Sequence, residues 1–157
     1  MRERVVLAMT IVLLAAHQGD ARAQDVSGPR AAADQLFLGI RMGNATLLHQ
    51  VFAPDVRFAV LDASGGSAQI AAQSLDGFIR AVGVSQGAWN EQIYEVEVRV
   101  DDTVASVWAP YTFYVDGRIS HCGVNSIELL KDADGWKITQ ISDTRRTAGC
   151  PDPLGGR

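Results

Sequence analysis

Apolar positions recur near every third or fourth residue in three stretches between Ser27 and Val82, with an alternating run from Val56 to Leu61 between them, and at every second residue from Trp89 onward. Ser27-Gly28-Pro29 opens a helix carrying Ala33, Leu36, Phe37 and Ile40, which Gly43 stops. Asn44 caps a shorter helix with Leu47, Leu48, Val51 and Phe52, ended by Pro54. Val56 to Leu61 alternates as a strand, and Asp62 to Ser67 turns at Gly65-Gly66. Ala68 to Ala72 returns as a short edge. Ser74 caps a third helix with Leu75, Phe78, Ile79 and Val82, and Gly83 to Gly87 forms a loop.

Beyond Trp89 the pattern predicts four consecutive antiparallel strands. Tyr94, Val96, Val98 and Val100 point one way and Ile93, Glu95, Glu97 and Arg99 the other. Asp101-Asp102 turns the chain so that Ala105, Val107 and Ala109 meet the valines. Asp116-Gly117 is a strong hairpin signal, because a type I′ turn needs positive φ at both central residues. A turn at Asp132 to Gly135 pairs Leu129 with Ile138. Three helices ahead of a long curved sheet give an α+β domain in which the helices cover one sheet face, leaving a cone with an open end.

The N-terminus reads differently. Arg2 and Arg4 precede an apolar run from Val5 to Ala16, and Ala21-Arg22-Ala23 is a small-x-small cleavage site before Gln24. The run meets His17 and Asp20 well short of the roughly 20 apolar residues of a membrane span. Residues 1–23 are therefore expected to be a cleaved secretory signal, 24–29 a linker, 30–150 one domain and 151–157 a flexible tail. A periplasmic or secreted location follows, with no membrane attachment after cleavage.

Charge narrows the partners. With 14 basic against 18 acidic residues there is no broad basic surface for nucleic acid or anionic lipid. In an oxidising compartment the two cysteines, Cys122 and Cys150, are expected to pair, with a reactive thiol as the competing reading. Pairing the last two strands at the Asp132–Gly135 turn sets Cys122 opposite Arg145, and Gly149 lets the tail curl back. No metal site is expected, since His49 and His121 stand far apart without ligand-spaced partners. Phosphate loops, nucleophile elbows and metalloprotease motifs are absent from the sequence, so no cofactor is expected.

The order of elements, together with Phe52-Ala-Pro-Asp-Val-Arg-Phe58 and Asp134-Gly-Trp-Lys-Ile138, resembles the nuclear transport factor 2-like superfamily over about residues 30–146. Val104 to Tyr114, His121-Cys122-Gly123 and Ser142-Asp143-Thr144-Arg145-Arg146 look most like small bacterial members labelled lumazine-binding proteins. The resemblance implies a cone-shaped pocket between sheet and helices. Relatives use it for steroids, polyketides, aromatic compounds or partner peptides.

Which polar residues would stand in such a pocket is then the functional question. His121, mid-strand among apolar neighbours, is a candidate acid/base, and Asp143 a candidate base or a group that orients it. A structural histidine and an ion pair of Asp143 with Arg57, Arg145 or Arg146 are the competing readings. The turn register puts Asp143 across from Val124 and His121 across from Arg146, on opposite faces. A β-bulge beside Gly123 or Pro110 would restore a His121–Asp143 dyad. Phe58, Tyr94, Trp108, Tyr111 and Phe113 are candidate ring contacts for a planar ligand, although aromatics also fill cores. Asn125 is a candidate amide clamp, on the same side as Trp108 in a simple two-residue-turn register.

Three functions are compatible with these residues: an exported module binding a small apolar or aromatic molecule, a cofactor-independent isomerase, dehydratase or lyase, and a homodimeric interaction module with a packed cavity. In the second, which the resemblance implies, His121 or Asp143 moves a proton while Tyr111 or Asn125 polarises the substrate.

Overall fold

A computed structural model describes residues 25–62, 69–85 and 87–155. The signal-like segment 1–23 and the Gly65-Gly66 turn lie outside the described residues. The elements run α1 (Ser27–Met42), α2 (Ala45–Val51), β1 (Phe52–Asp62), β2 (Gln69–Gln73), α3 (Leu75–Gly83), β3 (Trp89–Ile93), β4 (Glu97–Asp101), β5 (Val104–Val115), β6 (Arg118–Asp132) and β7 (Gly135–Arg145). The helices end where local chemistry stops them. Gly43, at φ 60°, turns the chain out of α1. The side chain of Asn44 accepts the Leu47 N–H at 3.0 Å, and that of Ser74 accepts the Gly77 N–H at 3.1 Å. Proline 54 does not end the second helix as expected. The chain is already extended at Phe52, and Pro54 falls inside β1.

The strands form one sheet in the order β2-β1-β7-β6-β5-β3, with β4 also pairing β5. β1 joins β7 in parallel and every other pair is antiparallel. The helices cover one face of the sheet. Ala33, Leu36, Phe37 and Ile40 of α1 pack with Leu48 and Val51 of α2, Phe58 of β1, Val82 of α3, Val107 of β5, Ile127 of β6 and Ile138 of β7 in a single core. The expected α+β architecture is therefore present. Asp116 and Gly117 make the predicted hairpin, at φ 51° and 76°.

Three one-residue irregularities depart from the simple register, and each reverses which side chains face the helices. The strand expected to run unbroken through Tyr94 to Val100 is two pieces. Glu95, at φ 48°, inserts an extra residue, while the Tyr94 N–H still reaches the Pro110 carbonyl at 3.0 Å. In the β5–β6 hairpin the pairing changes from Tyr114–Ile119 to Phe113–His121, leaving Ser120 extra. Between β6 and β7 it changes from Leu129–Ile138 to Glu128–Gln140, leaving Thr139 extra.

On the outer face, Cys122 and Cys150 form a disulfide with Cα atoms 5.5 Å apart. Cys122 pairs with Arg146, one position beyond the expected Arg145, through two backbone hydrogen bonds of 2.9 Å. The segment past Cys150, expected as a flexible tail, is attached at its first two residues. Thr112 donates to the Pro151 carbonyl at 2.8 Å, and the Tyr114 hydroxyl donates to the Asp152 carboxylate at 2.7 Å.

Candidate functional site

Between the helices and the inner face of the sheet lies a cavity of about 440 Å³. Its apolar wall comes from Leu36, Phe37 and Ile40 of α1, Phe58 of β1 and Phe78 of α3. Phe58 and Phe78 stack with ring centroids 5.2 Å apart, and Phe52 closes edge-on behind them at 5.3 and 5.9 Å. Toward β3 the wall continues with Trp89 set edge-on to Phe113 at 5.5 Å.

The sheet end of the cavity is polar. Asn125 on β6 stands directly beside Asp143 on β7, and both side chains enter the cavity. The expected pairing of Asp143 with Val124 is corrected by one residue, because Thr139 bulges out of β7. His121 and Asp143 consequently share the cavity-facing side of the sheet rather than opposite sides. The bulge that does this lies at Glu128/Leu129, not beside Gly123 or Pro110.

Asp143 is engaged from two directions. Arg145 Nε donates to its Oδ2 at 2.9 Å, and the Tyr111 hydroxyl shares its proton between that oxygen at 3.4 Å and the Thr144 carbonyl at 3.0 Å. The Asp143 side chain is only 11% exposed. Burial opposes the Arg145 charge, but the hydrogen bond and charge of Asp143 outweigh it and leave the guanidinium more firmly protonated than usual. Burial, followed by the negative charge of Asp143, drives the Tyr111 hydroxyl far above its ordinary range, so it keeps its proton and can donate it. Gly123 makes this geometry available. A methyl group there would run into the Thr144 carbonyl, the acceptor that Tyr111 uses.

His121 lies flat on Phe113, with centroids 4.9 Å apart at 22°, and edge-on to Tyr111 at 5.8 Å. Ser120 Oγ is 3.1 Å from its Nδ1. The ring is thus held by aromatic faces and a neighbouring hydroxyl while it lines the cavity.

Glu91 on β3 was not singled out in the sequence. Asn125 Nδ2 donates to its Oε1 at 2.7 Å. Burial pushes the Glu91 carboxyl up to about 7; the Asn125 hydrogen bond works against that, and the charge of Asp143 adds to it. Its sequence signal was a glutamate one residue from Trp89-Asn90 on a strand of alternating pattern, obscured because unbroken alternation through Tyr94 assigned the odd positions to the wet face. The irregularity at Glu95 swaps them.

Of the ring residues expected to contact a ligand, Phe58, Tyr111 and Phe113 line the cavity, as does Asn125. Trp108 does not. It is 51% exposed on the outer face, paired with Ser126, whereas Asn125 pairs with Ala109 because Ser120 shifts the hairpin by one. Tyr94 is likewise outside the cavity lining; the extra residue at Glu95 places it in the other set of positions from Glu91 and Ile93.

Neither a family model nor a curated protein matches the sequence. Solved structures do. A candidate dehydratase of the nuclear transport factor 2-like family from Streptomyces avermitilis is similar at 15% identity and TM-score 0.60, over 79% of this chain and 97% of that one. A candidate ketosteroid isomerase from Shewanella frigidimarina is similar at 20% identity and TM-score 0.57, over 74% and 94%. The beta subunit of a candidate aromatic-ring-hydroxylating dioxygenase from Novosphingobium aromaticivorans gives 14% identity and TM-score 0.63, over 83% and 95%. At these identities the likeness is one of architecture, and the chain carries the nuclear transport factor 2-like fold.

Proposed function

We propose that this chain is an exported protein that holds a small apolar or aromatic molecule in the cavity between its helices and sheet. The observation that carries the reading is the cavity itself. It falls in the size range of small-molecule pockets, has aromatic and aliphatic walls, and gathers its polar groups at one end. Rings stack on Phe58, Phe78, Trp89 and Phe113, while Asn125, His121 and Glu91 orient the ligand's polar edge. Export is supported by the signal-like N-terminal pattern and by the Cys122–Cys150 disulfide. Among the described residues no helix is long and apolar enough to cross a membrane.

Trp89 supplies the test, because it lines the cavity and Trp108 and Trp136 do not. In a Trp108→Phe/Trp136→Phe background, titration with a broad set of planar aromatics is expected to give saturable changes in Trp89 emission. No saturable change across the set refutes the reading.

A second reading, cofactor-independent acid/base catalysis, is favoured by one observation: Glu91, His121 and Asp143 all face the same cavity. The dehydratase and isomerase among the structural neighbours are named for chemistry of this kind. Incubation in deuterated water with cyclic ketones, followed by NMR, tests it. Catalysed exchange α to the carbonyl supports proton abstraction, and exchange no faster than buffer removes it.

A further inference from the structure

We propose that Glu91 is the ligand-selecting group of the cavity and that it pairs with a planar heteroaromatic base, a ring system whose protonated nitrogen donates to the carboxylate. This rests on the binding function proposed above and names the class of molecule bound. The ionisable groups at the sheet end of the cavity differ in the partners they already hold. Asp143 accepts from Arg145 Nε and from Tyr111, so the Asp143 and Arg145 charges offset each other. Tyr111 spends its single proton on Asp143 and the Thr144 carbonyl. Glu91 accepts a hydrogen bond from Asn125 at Oε1, and a carboxylate has room for several more.

The surroundings favour a cation over an anion. The polar groups that line the cavity with Glu91 are Gln73 of β2, Tyr111 of β5, Ser120, His121 and Asn125 of β6, and Asp143 with Arg145 of β7; α1 adds only Leu36, Phe37 and Ile40. With Asp143 and Arg145 neutralising each other, the carboxylate of Glu91 is the charge that a ligand would complement. Trp89, Phe113, Phe58 and Phe78 line the same cavity, and aromatic rings attract a flat cation. A neutral hydrocarbon ring would bury equally well against those walls but would leave the Glu91 carboxylate desolvated with only the Asn125 amide against it. Burial already costs the ionised carboxyl dearly, so a protonated ligand removes the penalty that a neutral one retains.

Two isosteric probes separate these cases. 4-Aminoquinoline is a ring base and 1-aminonaphthalene has the same shape without the basic nitrogen. At about pH 8 the wild-type protein is expected to bind 4-aminoquinoline about tenfold more tightly, as suits one charge-assisted hydrogen bond. In Glu91→Gln that preference is expected to fall to within about twofold while 1-aminonaphthalene binds as well or better. Calorimetry near neutral pH in two buffers of different ionisation enthalpy supplies a readout that a structural role would not move. The basic probe is expected to release protons as Glu91 ionises in the complex, and Glu91→Gln to release none. Equal affinity of the two probes for the wild type, or an unchanged preference in a folded Glu91→Gln, overturns the selection by Glu91 and leaves the cavity as a binding site. Absence of binding by both probes and by the wider aromatic set overturns both.

Discussion

Replacing Glu91 by Gln should make the protein more stable at alkaline pH and leave it nearly unchanged in acid. The carboxyl stands at 4.5 in the open and at about 7 in the folded chain, so the folded state holds a proton that the unfolded state has released. Stability therefore falls as pH rises from about 4.5 through about 7. At ~1.4 kcal/mol per pKa unit the full effect is about 3 kcal/mol, trimmed to about 2–3 kcal/mol because the side chain keeps some contact with water in the cavity. Gln removes the charge but keeps an oxygen for Asn125 Nδ2, now 2.7 Å from Glu91 Oε1. Urea denaturation of the wild type and Glu91→Gln, with the disulfide intact, should show curves that nearly coincide at about pH 4 and separate by about 2–3 kcal/mol at about pH 8. A variant no more stable than the wild type at the higher pH would refute the argument that Glu91 is ionised at a cost.

Asn125→Ala removes the hydrogen bond that favours the ionised carboxyl, so the Glu91 titration followed by carboxyl NMR should move further upward; a downward movement would count against the contact. Gly123→Ala puts a methyl group into the Thr144 carbonyl and should cost about 3 kcal/mol or prevent folding, read as melting temperature and soluble yield. Cys150→Ser opens a 28-residue separation and should cost about 3–4 kcal/mol in a denaturant titration on the chain-entropy argument. In the wild type, alkylation under non-reducing conditions should label neither cysteine.

The fold was legible because its signals are local and repeat many times. The α1 residues Ala33, Leu36, Phe37 and Ile40 are all buried, and the two polar caps at Asn44 and Ser74 make the predicted bonds. The tail disulfide was legible for a different reason. Only two cysteines are present, and the last turn brings Arg146 beside Cys122 four residues before Cys150, so a one-residue error in register was small against the reach of the tail. Pro54 misled because a proline ends helices, whereas here Phe52 had already left the helix and Pro54 sits in β1.

The site was less legible because facing in a sheet has a period of two, and a single inserted residue inverts everything beyond it. Glu95, Ser120 and Thr139 are three such insertions, and they converge on one end of the cavity. The first turns Glu91 inward and moves Tyr94 to the other set of positions. The second aligns Asn125 with Ala109 in place of Trp108, and the third sets Asp143 beside Asn125. Had every strand kept simple alternation, Asp143 and His121 would point away from one another and Glu91 would be a solvated surface acid. None of the three residues carries a strong local signature: a glutamate, a serine and a threonine fit a regular strand as well. The contacts that go with the inverted facing are long-range, namely the aromatic packing of Phe113 on His121, the Tyr111 bond to the Thr144 carbonyl, and the apolar residues of the core. The cavity chemistry is thus a product of tertiary packing overriding local preference, at the end of the sheet where the Glu91 carboxyl is ionised at a cost as pH rises.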